Sequence, residues 1–137
     1  FWHRFKHLVG VGLAANWMQR TLKAMSAVRH IVSFRLKAET TEAQRQALAA
    51  SLSGMKELPG LKELIKEVGV GTDLGIPHPA GPNAGIALMA DFASQADYEA
   101  YAGHPAHKQV IEECIKPVME PGSRTAIQFN IAQPGQL

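Results

Sequence analysis

A single cysteine in 137 residues excludes an internal disulfide, and no run of eighteen apolar residues is present to span a membrane as a helix. Beyond residue 24 there is no His-x-x-x-His pair, and His104 and His107 have a proline between them, so no metal site is expected. A haem role for His107 has little support, and no cofactor is expected. Residues 1–24 contain four of the 14 basic residues and none of the 12 acidic ones, which leaves ten basic against twelve acidic in the remainder. Without its first 24 residues the chain is therefore slightly acidic, which argues against nucleic acid as a partner. With 46% hydrophobic and 19% charged residues, neither wholesale disorder nor a membrane protein is implied.

What is present reads as one domain preceded by an extension. Met25-Ser26-Ala27 precedes the first clear strand, so residues 1–24 are expected to be an N-terminal leader or a vector-derived extension and residues 25–137 the domain. Phe5, Leu8, Val9, Leu13 and Trp17 share one face if this segment is helical. Deleting residues 1–24 is expected to leave the fold and the dimer intact; a truncation that is insoluble or that sediments as a monomer would make the segment integral. Cys114 sits on an apolar helical stripe as a packed thiol, consistent with a reducing compartment, and a cytoplasmic location is expected.

Alternation predicts a strand from Val28 to Lys37, with Val28, His30, Val32, Phe34 and Leu36 on one face. Thr41-Glu42-Ala43-Gln44 is a capping-box pattern opening a helix whose inner face is Leu48, Leu52 and Met55. Pro59-Gly60 ends this unit. Strands are predicted from Leu64 to Gly71 and from Gly85 to Phe92, joined by a Gly- and Pro-rich segment, Thr72 to Ala84, in which His78 is expected to be solvated. Ser94 caps the next helix, Pro105 to Lys116 forms another, and Thr125 to Ile131 is the last strand, with Thr125, Ile127, Phe129 and Ile131 on one face. The order β-α-β-β-α-β implies an α+β ferredoxin-like protomer with a four-stranded antiparallel sheet covered on one face. The uncovered face, with Arg29, Ile31, Ser33, Arg35, Ala87, Met89 and Asp91, is half apolar, so pairing with a second copy is expected.

The chemistry is concentrated in Tyr98-Glu99-Ala100-Tyr101-Ala102-Gly103-His104-Pro105-Ala106-His107. Pro105 suits a first helical turn, so Gly103 and His104 close one helix and His107 enters the next. Val110, Ile111, Cys114 and Val118 follow His107 at helical spacing and turn it toward the core. His104, restricted by the following proline, is placed at the bend as a local hydrogen-bonding residue and is counted with the ligand contacts. Tyr98 is read as structural. His30 and His107 are expected to meet in the layer between sheet and helices, in a pocket lined also by Val32, Phe34, Leu88 and Val110. There Tyr101 as donor and His107 as base would suit proton transfer beside a carbonyl, with His30 orienting or shuttling. The competing expectation is hydrogen bonding inside a filled core.

The segment Val28-Arg29-His30-Ile31-Val32-Ser33-Phe34-Arg35-Leu36-Lys37, the turn Phe92-Ala93-Ser94 and the motif Tyr101-x-x-His104-Pro105-x-His107 resemble the stress-responsive dimeric A/B barrel (Dabb) domain over about residues 27–131. The resemblance implies a dimeric α/β barrel built from two ferredoxin-like sheets. Some members of that family are stress-induced stable oligomers without known chemistry. Others, the plant polyketide cyclases, close a poly-keto chain by aldol condensation without a cofactor. The cyclase tyrosine and histidine fall on Tyr101 and His107 and a first-strand histidine on His30. A further pocket histidine falls near Ile86, where this chain has no imidazole. Two functions are thus expected from the resemblance: a homodimeric protein binding a small apolar or carbonyl-containing molecule, or a cyclase-like enzyme.

Overall fold

The computed structural model describes residues 12–20 and 26–131. Residues 12–20 are helical (α1) and exposed, Leu13 and Trp17 among them; Phe5, Leu8 and Val9, the other members of the expected face, and Met25 lie outside the described residues.

The domain runs β1 (Val28–Phe34), α2 (Glu42–Ser53), a 3₁₀ turn (Gly54–Glu57), β2 (Ile65–Thr72), β3 (Ile86–Phe92), α3 (Gln95–Ala102), α4 (Pro105–Val110) and β4 (Thr125–Asn130). The strands form one antiparallel sheet in the order β2-β3-β1-β4, which is the ferredoxin-like arrangement. Register sets the faces. Val28, His30, Val32 and Phe34 stand opposite Phe92, Ala90, Leu88 and Ile86, and of this set all but Val28 and His30 pack in one core cluster with Leu48, Leu52, Met55 and Leu61. Facing-strand residues on one side of a sheet share that side, so the opposite face carries Arg29, Ile31 and Ser33 beside Asp91, Met89 and Ala87. There Arg29 makes two bonds to Asp91, at 2.8 and 2.9 Å.

The helix starts follow the sequence closely. Thr41 and Gln44 form the reciprocal capping box, and Ser94 Oγ accepts from the Asp97 amide. At the bend between α3 and α4, His104 serves as the N-cap: its Nδ1 accepts from the Ala106 amide at 3.1 Å, and Pro105 occupies the first turn. The imidazole lies over Gly60, whose φ is 87°; a Cβ at that position would meet His104 Nε2 and stand 2.7 Å from Cε1. Gly60→Ala is therefore expected to cost about 1–3 kcal/mol, combining backbone strain with displacement of the cap. Thermal unfolding checks this, and an unchanged Tm would refute the packing of His104 on Gly60.

One expectation is revised here, and the structure sets the direction of the last strand, which its alternation left open. The predicted helix from Pro105 to Lys116 is α-helical only to Val110 and continues as a π-helical turn over Ile111–Ile115, with the Lys116 amide donating to the Ile111 carbonyl at 2.9 Å. Such a turn takes up an extra residue, so Ile111, Ile115 and Met119 line the cavity below His107 while Val110, Cys114 and Val118 of the expected stripe pack in or on the core. The last strand turns its apolar set outward: Ile127 and Phe129 stand opposite Ile31 and Arg29 on the uncovered face, 57% and 41% exposed. Its helix-facing residues are Ala126, Gln128 and Asn130, opposite Val32, His30 and Val28.

Candidate functional site

Between sheet and helices lies a cavity of about 380 Å³. His30, Val32, Phe34 and Leu88 form its sheet side; Tyr98, Tyr101, Ala102 and His107 line it from α3 and α4. The expected residues Tyr101, His107, His30, Val32, Phe34 and Leu88 are thus brought together. Val110 and His104 are not. Val110 packs in the buried core, and His104 is committed to capping α4, so neither reaches the cavity.

The geometry around the imidazoles is specific. The Tyr101 and His107 rings lie 4.2 Å apart between centroids, and Tyr101 also packs on Phe92 at 4.9 Å. His30 lies 6.2 Å from Tyr101 and 5.3 Å from Tyr98, so Tyr98 belongs to the wall rather than to the outer surface. Ala90, opposite His30, adds no bulk that would displace the ring. His107 Nδ1 donates to the Ala102 carbonyl at 3.2 Å, which leaves Nε2 unprotonated in the neutral ring. Conversely, the Gln128 amide nitrogen donates to His30 Nδ1 at 2.8 Å, so the proton of neutral His30 resides on Nε2. Among the described residues the Tyr101 side chain makes no hydrogen bond, although Tyr101 is 2% exposed.

Burial sets the protonation states. It lowers His30 from 6.5 to about 4, helped by the positive charge of Arg124 and by His107. It also lowers His107, against the opposing effect of the Ala102 carbonyl and with Arg124 and His104 contributing. The Tyr101 phenol is held above its ordinary value by burial and by Tyr98, with Arg124 acting in the opposite direction. At neutral pH the site therefore presents two neutral imidazoles and a protonated phenol. Between 6.5 and about 4 the unfolded chain binds a proton at His30 that the folded chain refuses. Stability is accordingly complete above pH 6.5 and falls as pH drops through that window, by on the order of 3 kcal/mol for His30. Melting curves at pH 7.5 and 5 should show a larger acid loss for the wild type than for His30→Gln; equal losses would contradict a buried neutral His30.

Sequence reasoning missed Gln128, Met119, Lys116 and Arg124. The last three line the cavity only because the π turn and the tight return to β4 bring them there. Among the described residues no group of three or more His, Cys, Asp or Glu side chains is placed to hold a metal ion, and no helix is long and apolar enough to cross a membrane.

Fold and cavity together define a ferredoxin-like α+β protomer with a Tyr-His pocket under its helices. The family profile of the stress responsive A/B barrel domain matches residues 28–131, and the chain belongs to that family. No curated protein matches the chain. Among solved structures it is similar to a dimeric ferredoxin-like protein of unknown function from Thermobifida fusca, with 29% identity, 77% of this chain and 92% of that one covered, and a TM-score of 0.63. It is also similar to the hydroxynitrile lyase of Passiflora edulis, with 25% identity, 80% and 96% coverage and a TM-score of 0.64. A dimeric ferredoxin-like protein of unknown function from Bacteroides fragilis has 25% identity, 77% and 96% coverage and a TM-score of 0.58.

Proposed function

We propose that this protein is a homodimer that binds a small, mainly apolar, carbonyl-containing molecule in the cavity bordered by His30, Tyr101 and His107. The observation carrying this reading is the cavity itself: a purely structural trio would sit in a filled layer with its phenol hydrogen-bonded, whereas here about 380 Å³ is open beside it. Tyr101 and His30 Nε2 are donors suited to a carbonyl oxygen, and Val32, Phe34, Leu88 and Ile111 are suited to an alkyl body. Calorimetric titration with 2-nonanone tests it. Binding that weakens at least about tenfold in Tyr101→Phe is expected, the loss of a buried hydrogen bond being worth about 1–2 kcal/mol. No binding to the wild type would overturn the reading.

A second reading, cofactor-free proton transfer, is favoured by the tautomer of His107. With Nδ1 engaged by Ala102, Nε2 is a neutral base beside a phenol that remains protonated, the pairing needed to take a proton next to a carbonyl while supporting the enolate oxygen. The similarity to a hydroxynitrile lyase at 25% identity supports the view that this fold accommodates an enzyme.

The dimer is supported by the exposed apolar face and by two relatives described as dimeric. Ile31, Met89, Ile127 and Phe129 would meet their counterparts across a two-fold axis. Sedimentation should give twice the chain mass, and Ile127→Glu should shift the protein to monomer at micromolar concentration. A wild type that is monomeric there would contradict the assembly.

A further inference from the structure

The cavity is apolar over most of its wall, yet the formal charges among its described lining residues are all positive: Lys116, just beyond the π turn, and Arg124, just before β4. No Asp or Glu is among the described residues that line it. The two cations differ in their commitments. Lys116 is paired with Glu112 one helical turn back, as Arg35 is with Glu120 and Arg29 with Asp91. Arg124 is exposed and makes no hydrogen bond or ion pair among the described residues, so its guanidinium stands at the cavity open to water and to the anion of a ligand. Its backbone is nevertheless fixed. Ser123 Oγ accepts from the Arg35 amide at 3.0 Å and donates to the Glu120 carbonyl at 2.6 Å, while Thr125 and Ser33 share a hydroxyl bond of 2.9 Å.

Resting on the reading that this cavity binds a small molecule, we infer that the molecule carries a carboxylate at the end of its apolar body, received by Arg124. One unpaired guanidinium supplies a single positive charge and a planar fork of donors, which matches a monoanionic carboxylate better than a doubly charged phosphate. The backbone of Arg124 lies four positions before Gln128, the partner of His30, and its side chain lines the same cavity, near enough for its charge to act on His30, His107 and Tyr101. A carbonyl at Tyr101 and His30 and a carboxylate at Arg124 can therefore belong to one ligand, joined by an alkyl chain free to bend within the cavity.

The test compares 8-oxononanoate with 2-nonanone, two probes with the same skeleton and the same ketone that differ in the terminal carboxylate. In the wild type the keto acid is expected to bind about three- to fivefold more tightly at low ionic strength, with the advantage shrinking as salt is added. Arg124→Gln should bring the ratio of the two affinities close to one, Arg124→Lys should restore part of it, and Lys66→Gln, on the distant edge strand β2, should leave it alone. A keto acid that binds no better than the ketone, or a ratio indifferent to Arg124→Gln, overturns the carboxylate while leaving the carbonyl site standing. Failure of both probes to bind the wild type overturns the carbonyl site and the carboxylate together.

Discussion

Phe92→Ala is expected to destabilise the protein by about 3–5 kcal/mol, the largest effect of any single truncation considered. Phe92 is completely buried at the end of β3 and supports both tyrosines, with Tyr98 edge-on at 5.5 Å and Tyr101 at 4.9 Å between centroids. Removing the ring opens a void that the sheet beneath cannot close, because Val28 and Ile65 flank it at fixed register. For a domain of this size the loss corresponds to a fall in Tm on the order of 15 °C. Because Tyr101 loses its backing, affinity for 2-nonanone should fall as well. A drop of less than about 1 kcal/mol would show that Tyr101 is held by something other than this aromatic cluster.

The second large effect concerns chemistry. If His107 Nε2 acts as a base, the wild-type protein in deuterium oxide should accelerate exchange of the hydrogens beside the carbonyl of 2-nonanone, followed by the loss of their proton signals. His107→Gln should reduce the catalysed rate by about 10²–10⁴-fold, the usual contribution of a positioned general base. The rate should also decline as pH falls and His107 takes up its proton, with a midpoint below 6.5 because burial lowers its pKa. Exchange that proceeds equally in the variant would remove His107 from any catalytic role and leave the binding function alone.

Much of this site was legible in the sequence because its signals are periodic. His30 falls in step with Val28, Val32 and Phe34, and a period of two puts it on the core face irrespective of the rest of the fold. Pro105 announced the bend, so His107 could be assigned to a new helix facing inward. His104 shares the same motif but acts through the backbone, and nothing in residue type separates a capping imidazole from a ligand-facing one. The π turn was illegible for a related reason: Ile111-Glu112-Glu113-Cys114-Ile115 reads as ordinary helix, and a change of hydrogen-bond step arises from how that turn packs. In β4 the alternation was plain, but its direction was not. Placing Gln128 inward and Phe129 outward contradicts the usual sorting of apolar residues and makes sense only when the uncovered face is given a partner.

The central claim, that the layer between sheet and helices holds a carbonyl compound against the Tyr-His group, is tested most directly by a crystal structure of the protein saturated with 2-nonanone. The account predicts the alkyl chain along Val32, Phe34, Leu88 and Ile111, with the ketone oxygen within about 2.6–3.2 Å of the Tyr101 hydroxyl or His30 Nε2. A cavity closed by its own side chains, or a ketone bound elsewhere, would contradict it.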